Sequence, residues 1–166
     1  MIMTAVVNVT EDWGIGLNGK LLVTIPEDMK HFRELTTGKT VILGQLTLAT
    51  FPGGKPLKNR RNISLSDDLS FSPEGAEVVR SIDELDELLK DEPGEAVVIG
   101  GASVYNALCE RCSKVYSTRT YGEYEADRFF PNLDAAPNWH MGDVSELFEH
   151  DGVKFRYITY CNSLKL

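Results

Sequence analysis

The sequence predicts an α/β fold: a mostly parallel central β-sheet with an antiparallel C-terminal edge and helices on both faces. Three observations lead there. Segments rich in β-branched residues alternate with segments of helical periodicity, the pattern of a parallel sheet covered on both sides. The last such segments follow one another with no helix between them, which calls for antiparallel pairing at an edge. The length of 166 residues suits one domain spanning 1–166, and no repeat, low-complexity tract or long linker divides it.

Residues 1–9 are rich in β-branched side chains and read as the first strand. Residues 10–25 are polar and hold Gly14, Gly16 and Gly19, so they read as a long connection. Long connections in compact domains usually serve function. Pro26 opens a helix at its favoured first position, and the helix runs over 26–37 with Gly38 as its stop. A short buried strand follows over 39–44, then a helix over 45–51, broken by Pro52, Gly53 and Gly54. Strands are predicted at 60–66 and Ala76–Val79. Ser81 and Glu84 form a capping box ahead of a helix over 82–90. The apolar run 96–99 is a strand that meets Gly100 and Gly101, and a helix follows over 102–109. Residues 114–121 and Val153–Asn162 are strands, the latter alternating Val153, Phe155 and Tyr157 with Lys154 and Arg156.

Composition narrows the function classes. The chain is 42% hydrophobic and 25% charged, ordinary for a globular protein, and no apolar run is long enough to span a bilayer. The first residues have no basic region and no cleavage signal, so the expected location is the cytoplasm. A net charge of −8 argues against nucleic acid or a membrane surface as partner. Residues 20–61 run against that balance, with eight Lys/Arg to three Asp/Glu, as a segment receiving an anionic ligand would. Clustering on a solvated surface explains the same count equally well. Cys109 and Cys112 form a lone CxxC with no second pair and no paired histidines, so no metal site is expected.

Four places could carry chemistry. Ile25, Asp28, Phe32 and Leu35 fall on one helical stripe, which sets an acid in line with apolar residues. An acid in a first turn also complements the helix dipole, and that explanation suffices for Asp28 taken alone. The functional alternative is a carboxylate at the mouth of an apolar cleft, suited to a flat heterocycle with two adjacent N–H donors and with Phe32 against the ring. Gly100 and Gly101 stand between a buried strand and a helix, where glycine lets a backbone approach a phosphate or simply makes a tight turn. Gly44, Gln45, Leu46 and Thr47 form a second junction of this kind, and two such junctions suit a dinucleotide across the sheet. Arg60 and Arg61 open a strand, either as exposed charge or as a fork for a ligand carboxylate.

Together these pieces resemble the dihydrofolate reductase family. The runs that carry the resemblance are WGIG (13–16), IPEDMKHF (25–32), GKTVILG (38–44), PLKNRRNI (56–63), VIGGASVY (98–105) and DRFFP (127–131), in family order and at family spacing over nearly the whole chain. The resemblance implies an oxidoreductase of one-carbon metabolism and tetrahydrofolate biosynthesis. It implies hydride transfer from a reduced nicotinamide to pterin C6, with a proton to N5. By resemblance Asp28 is the acidic pterin anchor and Thr118 the hydroxyl supporting it. Val6, Val7, Phe32, Phe51 and Leu57 line the folate cleft, Arg60 meets the glutamate tail, and Ile99 and Tyr105 flank the nicotinamide. Asn8, Ile15, Gly16, Leu21, Gly44, Gln45, Thr47, Leu65, Ser66, Gly100, Gly101, Ala102, Ser103, Val104 and Tyr105 hold the cofactor. Residues 10–24 would be the mobile loop over the site.

The chain departs from the family at telling places. Leu22 and Val23 stand where the family usually has a Pro-Trp pair, whose tryptophan helps order water near the acid. Gln45 replaces a usual arginine; Leu46, Asp67 and Ser103 stand where basic or polar groups are common. These positions surround the 2′-phosphate of NADPH, so the expected cofactor is NADPH bound through a weakened phosphate site, with NADH use possible. Lys58 and Arg61 are candidates to supply charge from elsewhere. The expected partner is dihydrofolate, and the expected state a monomer. Two alternatives stay open: a related pterin or pyrimidine reductase of the same fold, to which Arg60 would be of no use, and a non-catalytic folate- or nucleotide-binding module.

Overall fold

A computed structural model describes residues 2–165; Met1, placed in the first strand by the sequence, lies outside them. Strand β1 (Ile2–Thr10) is an apolar run at the centre of the sheet. It pairs in parallel with β7 (Glu95–Gly100) on one side and β8 (Lys114–Thr120) on the other. From β7 the sheet continues in parallel through β4 (Thr40–Gly44), β5 (Arg61–Leu65) and β6 (Ala76–Val79). On the far side β12 (Val153–Asn162) runs antiparallel to β8, and β10 (Trp139–Val144) and β11 (Phe148–His150) pair antiparallel to β12. The predicted mixture of a parallel body and an antiparallel edge is therefore present.

The period of two along each strand sorts the core into two clusters. Ala5, Val7 and Val9 of β1 point to one face with Ala96, Val98 and Val115. Leu85 and Leu89 of α3 (Ile82–Leu89) and Val104 and Leu108 of α4 (Ala102–Leu108) cover that face. Val6, Val41, Leu43, Val97 and Ile99 point to the other. There Leu48 of α2 (Gln45–Ala49) and Phe32 and Leu35 of α1 (Pro26–Thr36) pack over them. Helix α1 shows its predicted stripe: Ile25 is buried, Asp28, Phe32 and Leu35 are half-buried, and the rest of the helix is largely exposed. Ser81 caps α3 as predicted, accepting from the Glu84 amide while Glu84 accepts from the Arg80 amide.

Two regions differ from the sequence expectation. Residues 10–25 are not a featureless connection. They carry β2 (Gly14–Leu17) and β3 (Lys20–Leu21), which join β9 (Arg128–Phe129) in a second, three-stranded sheet. A Cβ on Gly14 would stand 2.8 Å from the Ala126 Cβ and 2.9 Å from Thr10 Oγ1, so the glycine that reads as a loop residue permits a close strand packing. Strands of two to four residues with glycines leave no alternation to detect. The second region is 121–152, where β9, β10 and β11 had no sequence signal. β10 is exposed after Trp139 and slips register between Met141 and Val144, so its side chains follow no buried-exposed pattern. The helices end within two residues of their expected bounds; 45–51 stops at Ala49 and hands over to a turn at Pro52–Gly54.

Candidate active site

Three elements bring the acid and its partners together. In the parallel ladder Asn8 of β1 lies beside Thr118 of β8, and Thr120 is two residues further on, so all three project from the same face. That is the face covered by α1, which lowers Asp28 toward them. Thr118 Oγ1 donates to Asp28 Oδ1 at 2.5 Å, and Asn8 Nδ2 donates to Asp28 Oδ2 at 3.0 Å. Thr120 Oγ1 in turn donates to Asn8 Oδ1 at 2.8 Å. Asn8, Asp28, Ile15, Leu21, Leu22, Val23 and Ile25 line one cavity, in which the carboxylate meets mostly apolar walls.

Beyond the acid the cleft is apolar. Val6 and Ile99 are buried at its floor, and Phe32, Phe51 and Leu57 pack against the same cluster. Val7 does not join them: it belongs to the opposite core, because the strand's alternation turns it away from Val6. Tyr105 is buried, and its hydroxyl donates to the Val6 carbonyl at 2.6 Å, tying α4 to the floor of the cleft. Burial pushes that phenol's pKa well above its ordinary value. On the rim His31 stacks on Tyr157 at 4.0 Å. Burial lowers its pKa below the ordinary 6.5, against the opposing pull of Asp28 and Glu34.

Arg60 sits beside the last turn of α1. Its Nε donates to the Lys58 carbonyl at 2.8 Å and its Nη1 to Thr36 Oγ1 at 3.1 Å. Burial, and then the neighbouring Arg33, lower its pKa, and among the described residues no carboxylate pairs with it. Arg61 points elsewhere and is held by Glu77 at 2.6 Å and Glu92 at 2.8 Å. The buried Asn62 accepts from the Leu57 amide and donates to the carbonyls of Leu57 and Arg60, which fixes the turn carrying both residues. Asn62 is a contributor that sequence reasoning missed; its one signal is a polar residue inside a buried strand.

At the carboxyl ends of β4 and β7 the backbone is crowded in the way a bound chain of phosphates needs. A Cβ on Gly44 would lie 3.2 Å from Val104 Cγ2, and one on Gly101 3.1 Å from Thr47 Oγ1. Gly100 has φ +132°, a conformation that side chains rarely adopt, and the Gly100–Gly101 peptide is cis. Ala102 and Ser103 open α4 directly beyond this pair. Glycine at all three positions lets Thr47 and Val104 approach this closely and leaves the backbone bare.

Further along, Ser66 Oγ donates to Gln45 Oε1 at 2.7 Å, and Gln45 Nε2 donates to Asp68 Oδ2 at 3.1 Å. The acid beside Gln45 is thus Asp68, where the sequence singled out Asp67. Ser70 and Gln45 hold the Asp68 carboxyl below its ordinary pKa. Neither cation proposed as a substitute is seen here: Arg61 opens β5 at the end opposite Ser66, committed to its two glutamates. The cation that is present is Arg80, missed in the sequence, which donates to the carbonyls of Ser66, Asp68 and Phe71. Leu65 packs against the core next to this loop, and Ile15, Gly16 and Leu21 lie across the cleft in the small sheet, Gly16 pairing with Leu21. Asn8, expected among the cofactor residues, gives its side-chain amide to the acid.

Cys109 and Cys112 are buried free thiols, and burial pushes the Cys109 thiol up to about 12, which suits packing and not reaction. Among the described residues no group of side chains is arranged to hold a metal ion. Among the described residues no helix is long and apolar enough to cross a membrane.

A model of the family described as dihydrofolate reductase matches residues 2–162. A dihydrofolate reductase from Staphylococcus aureus (strain Mu50) is 36% identical over 117 residues, covering 70% of each chain. One from Bacillus subtilis (strain 168) is 33% identical over 127 residues, covering 76% of this chain and 73% of its own. A solved dihydrofolate reductase from Enterococcus faecalis, in complex with NADP(H) and a second small molecule, superposes with a TM-score of 0.87 at 29% identity over 97% of this chain and 96% of its own.

Proposed function

The chain belongs to the dihydrofolate reductase family, and from that premise we propose that it reduces 7,8-dihydrofolate to 5,6,7,8-tetrahydrofolate with a reduced nicotinamide cofactor. The observation that carries the reading is the Asp28 carboxylate, held on both oxygens in a mostly apolar cavity.

The chemistry follows from those positions. An ionised carboxylate with Thr118 on one oxygen and Asn8 on the other keeps a free lone pair on each, enough to accept two adjacent N–H groups of a pterin. Phe32, Val6, Phe51 and Leu57 exclude water from the ring, which strengthens that charge-assisted pair. Arg60 spends two donors on Thr36 and Lys58 and keeps the rest for the carboxylate of a glutamate tail, fixing the long axis of the substrate. The substrate's N5=C6 double bond then takes up a hydride at C6 and a proton at N5. When bound, the nicotinamide supplies the hydride, and the chain supplies orientation and a fixed polar environment. Gly44, Gly100 and Gly101 fit such a cofactor because, lacking side chains, they leave the backbone bare where Thr47 and Val104 close in.

For the cofactor's 2′-phosphate the residues fit poorly. Gln45 offers one neutral amide already committed to Ser66 and Asp68, the Asp68 carboxylate repels a phosphate, and Arg80 is bound to three carbonyls. A charge-assisted contact is worth about 1.5–3 kcal/mol, so its loss lowers affinity roughly ten- to a hundredfold. NADPH use with a weakened preference over NADH is the expected result.

One experiment addresses both claims: dihydrofolate-dependent loss of absorbance at the nicotinamide band, with kcat/KM measured for NADPH and for NADH. Activity with both, and a preference under about a hundredfold, is expected from the loss of one charge-assisted contact. No oxidation with either cofactor contradicts the function. A larger NADPH preference contradicts the weakened phosphate site alone.

A further inference from the structure

We propose that Asn8, aimed by Thr120, is the positioning residue that fixes the plane of the Asp28 carboxylate. The proposal deepens the reading of Asp28 as the pterin anchor and rests on it. A single donor, Thr118, leaves a carboxylate free to pivot about that one hydrogen bond. A second donor on the other oxygen arrests the pivot, and Asn8 Nδ2 stands 3.0 Å from Oδ2. The two remaining lone pairs then point in a set direction before any ligand arrives, so the ordering cost is met in folding and not in binding.

The direction of the relay follows from charge. An amide has a donating and an accepting end. An ionised carboxylate attracts the N–H end of Asn8 and repels its carbonyl, so the carbonyl turns to Thr120. The Thr120 hydroxyl must then donate, and it does, at 2.8 Å. Each bond polarises the next, from hydroxyl to amide to carboxylate. Thr120 is fully buried and has no water to compete for its proton. The backbone holds all the parts: Thr118 and Thr120 are two apart on β8, and Asn8 sits beside Thr118 on β1. Asn8 is also the one side chain with N–H donors among the residues lining the cavity at Asp28. The other polar one, Thr10, already bonds Asp12 and the Gly14 amide. In the sequence the feature shows as an amide interrupting the apolar run Ala5-Val6-Val7-Asn8-Val9, a place where a polar side chain needs a specific partner.

The test uses folate binding by fluorescence titration alongside steady-state kinetics for Asn8→Ala, Thr120→Val and Thr120→Ser. Losing a hydrogen bond to a charged group should weaken folate binding and raise the KM for dihydrofolate by roughly ten- to a hundredfold in Asn8→Ala, with the KM of the cofactor unchanged. Thr120→Val keeps the shape of the side chain and should lose a smaller part of the same affinity. Combined with Asn8→Ala it should add nothing, and Thr120→Ser should restore binding. Folate binding by Asn8→Ala equal to that of the unmutated protein overturns the proposal, as does a loss confined to cofactor binding. The contact is also read without substrate, from the side-chain amide resonances of Asn8 in the isotope-labelled protein. They should move in Asp28→Asn and in Thr120→Val. Amide resonances that ignore both substitutions overturn the relay, whereas a responsive amide in a protein that fails to reduce dihydrofolate supports the relay and removes the functional reading.

Discussion

The Asp28 carboxylate is held on both oxygens by side chains from the central sheet. Asp28→Asn keeps the shape of the side chain but turns an N–H toward either Thr118 or Asn8, both of which donate to the carboxylate now. The fold should survive, and kcat/KM for dihydrofolate should fall about 10²–10⁴-fold, the usual cost of losing a placed acid or base. An Asn variant of full activity would leave Asp28 as no more than a first-turn acid complementing its helix. Arg60→Lys separates the two ends of the substrate. Lysine cannot fork onto a carboxylate, so folate binding should weaken roughly tenfold or more while a tail-less pterin binds as before. Equal loss for both ligands would contradict the assignment of Arg60 to the tail. Asp28, Phe32 and Arg60 were legible in the sequence because each sits in a run with its own logic, a helical stripe or an arginine pair at a strand start. Asn8, Asp68 and Arg80 were not, because their roles depend on groups 12 to 112 positions away that only the fold brings near. Val7 shows the limit most simply: naming a strand does not say which of two neighbours faces the ligand, and one residue of register reverses the answer.

Elements were legible where periodicity had room to repeat. The capping box at Ser81 and Glu84 could be read from four letters; the serine half is formed, with the Glu84 amide 3.1 Å from Ser81 Oγ, while the Glu84 carboxylate reaches one residue past the cap to the Arg80 amide. Ser81→Ala should lower stability by about 1 kcal/mol, read from a urea melt. Because Arg80 is the residue before the cap and pins the 66–71 loop, cofactor binding should weaken in the same variant. A variant as stable as the unmutated protein would mean that the box contributes nothing to α3. The small sheet of β2, β3 and β9 was hidden for the opposite reason. Its strands are too short to alternate, and the glycine that lets them pack, Gly14, is also the residue that signals a loop. β10 was hidden by being an exposed, irregular edge, whose sequence is chosen for solvent and not for a core.

Over the whole molecule the central strand organises function by having two faces. One face, with Val7 and Val9, is closed by α3 and α4 into a core. The other, with Val6 and Asn8, is only partly covered by α1 and α2, and the gap is the cleft. The same β4 and β7 that pack under Phe32 and Phe51 end in Gly44 and Gly100, so the proposed substrate and cofactor halves would meet at the carboxyl ends of parallel strands, where open α/β sheets bind their ligands. The alternation of strands and helices was enough to predict this arrangement; the order of the strands across the sheet was not, since it is set by pairing between segments distant in sequence. The proposed reaction passes a hydride from the bound nicotinamide to C6 of the pterin. Its most direct measurement supplies cofactor deuterated at the transferring C4 position together with dihydrofolate, and analyses the product by mass spectrometry and proton NMR. Tetrahydrofolate carrying a single deuterium at C6 is the expected product. Tetrahydrofolate without the label, or no reduced product at all, would contradict the proposed reaction.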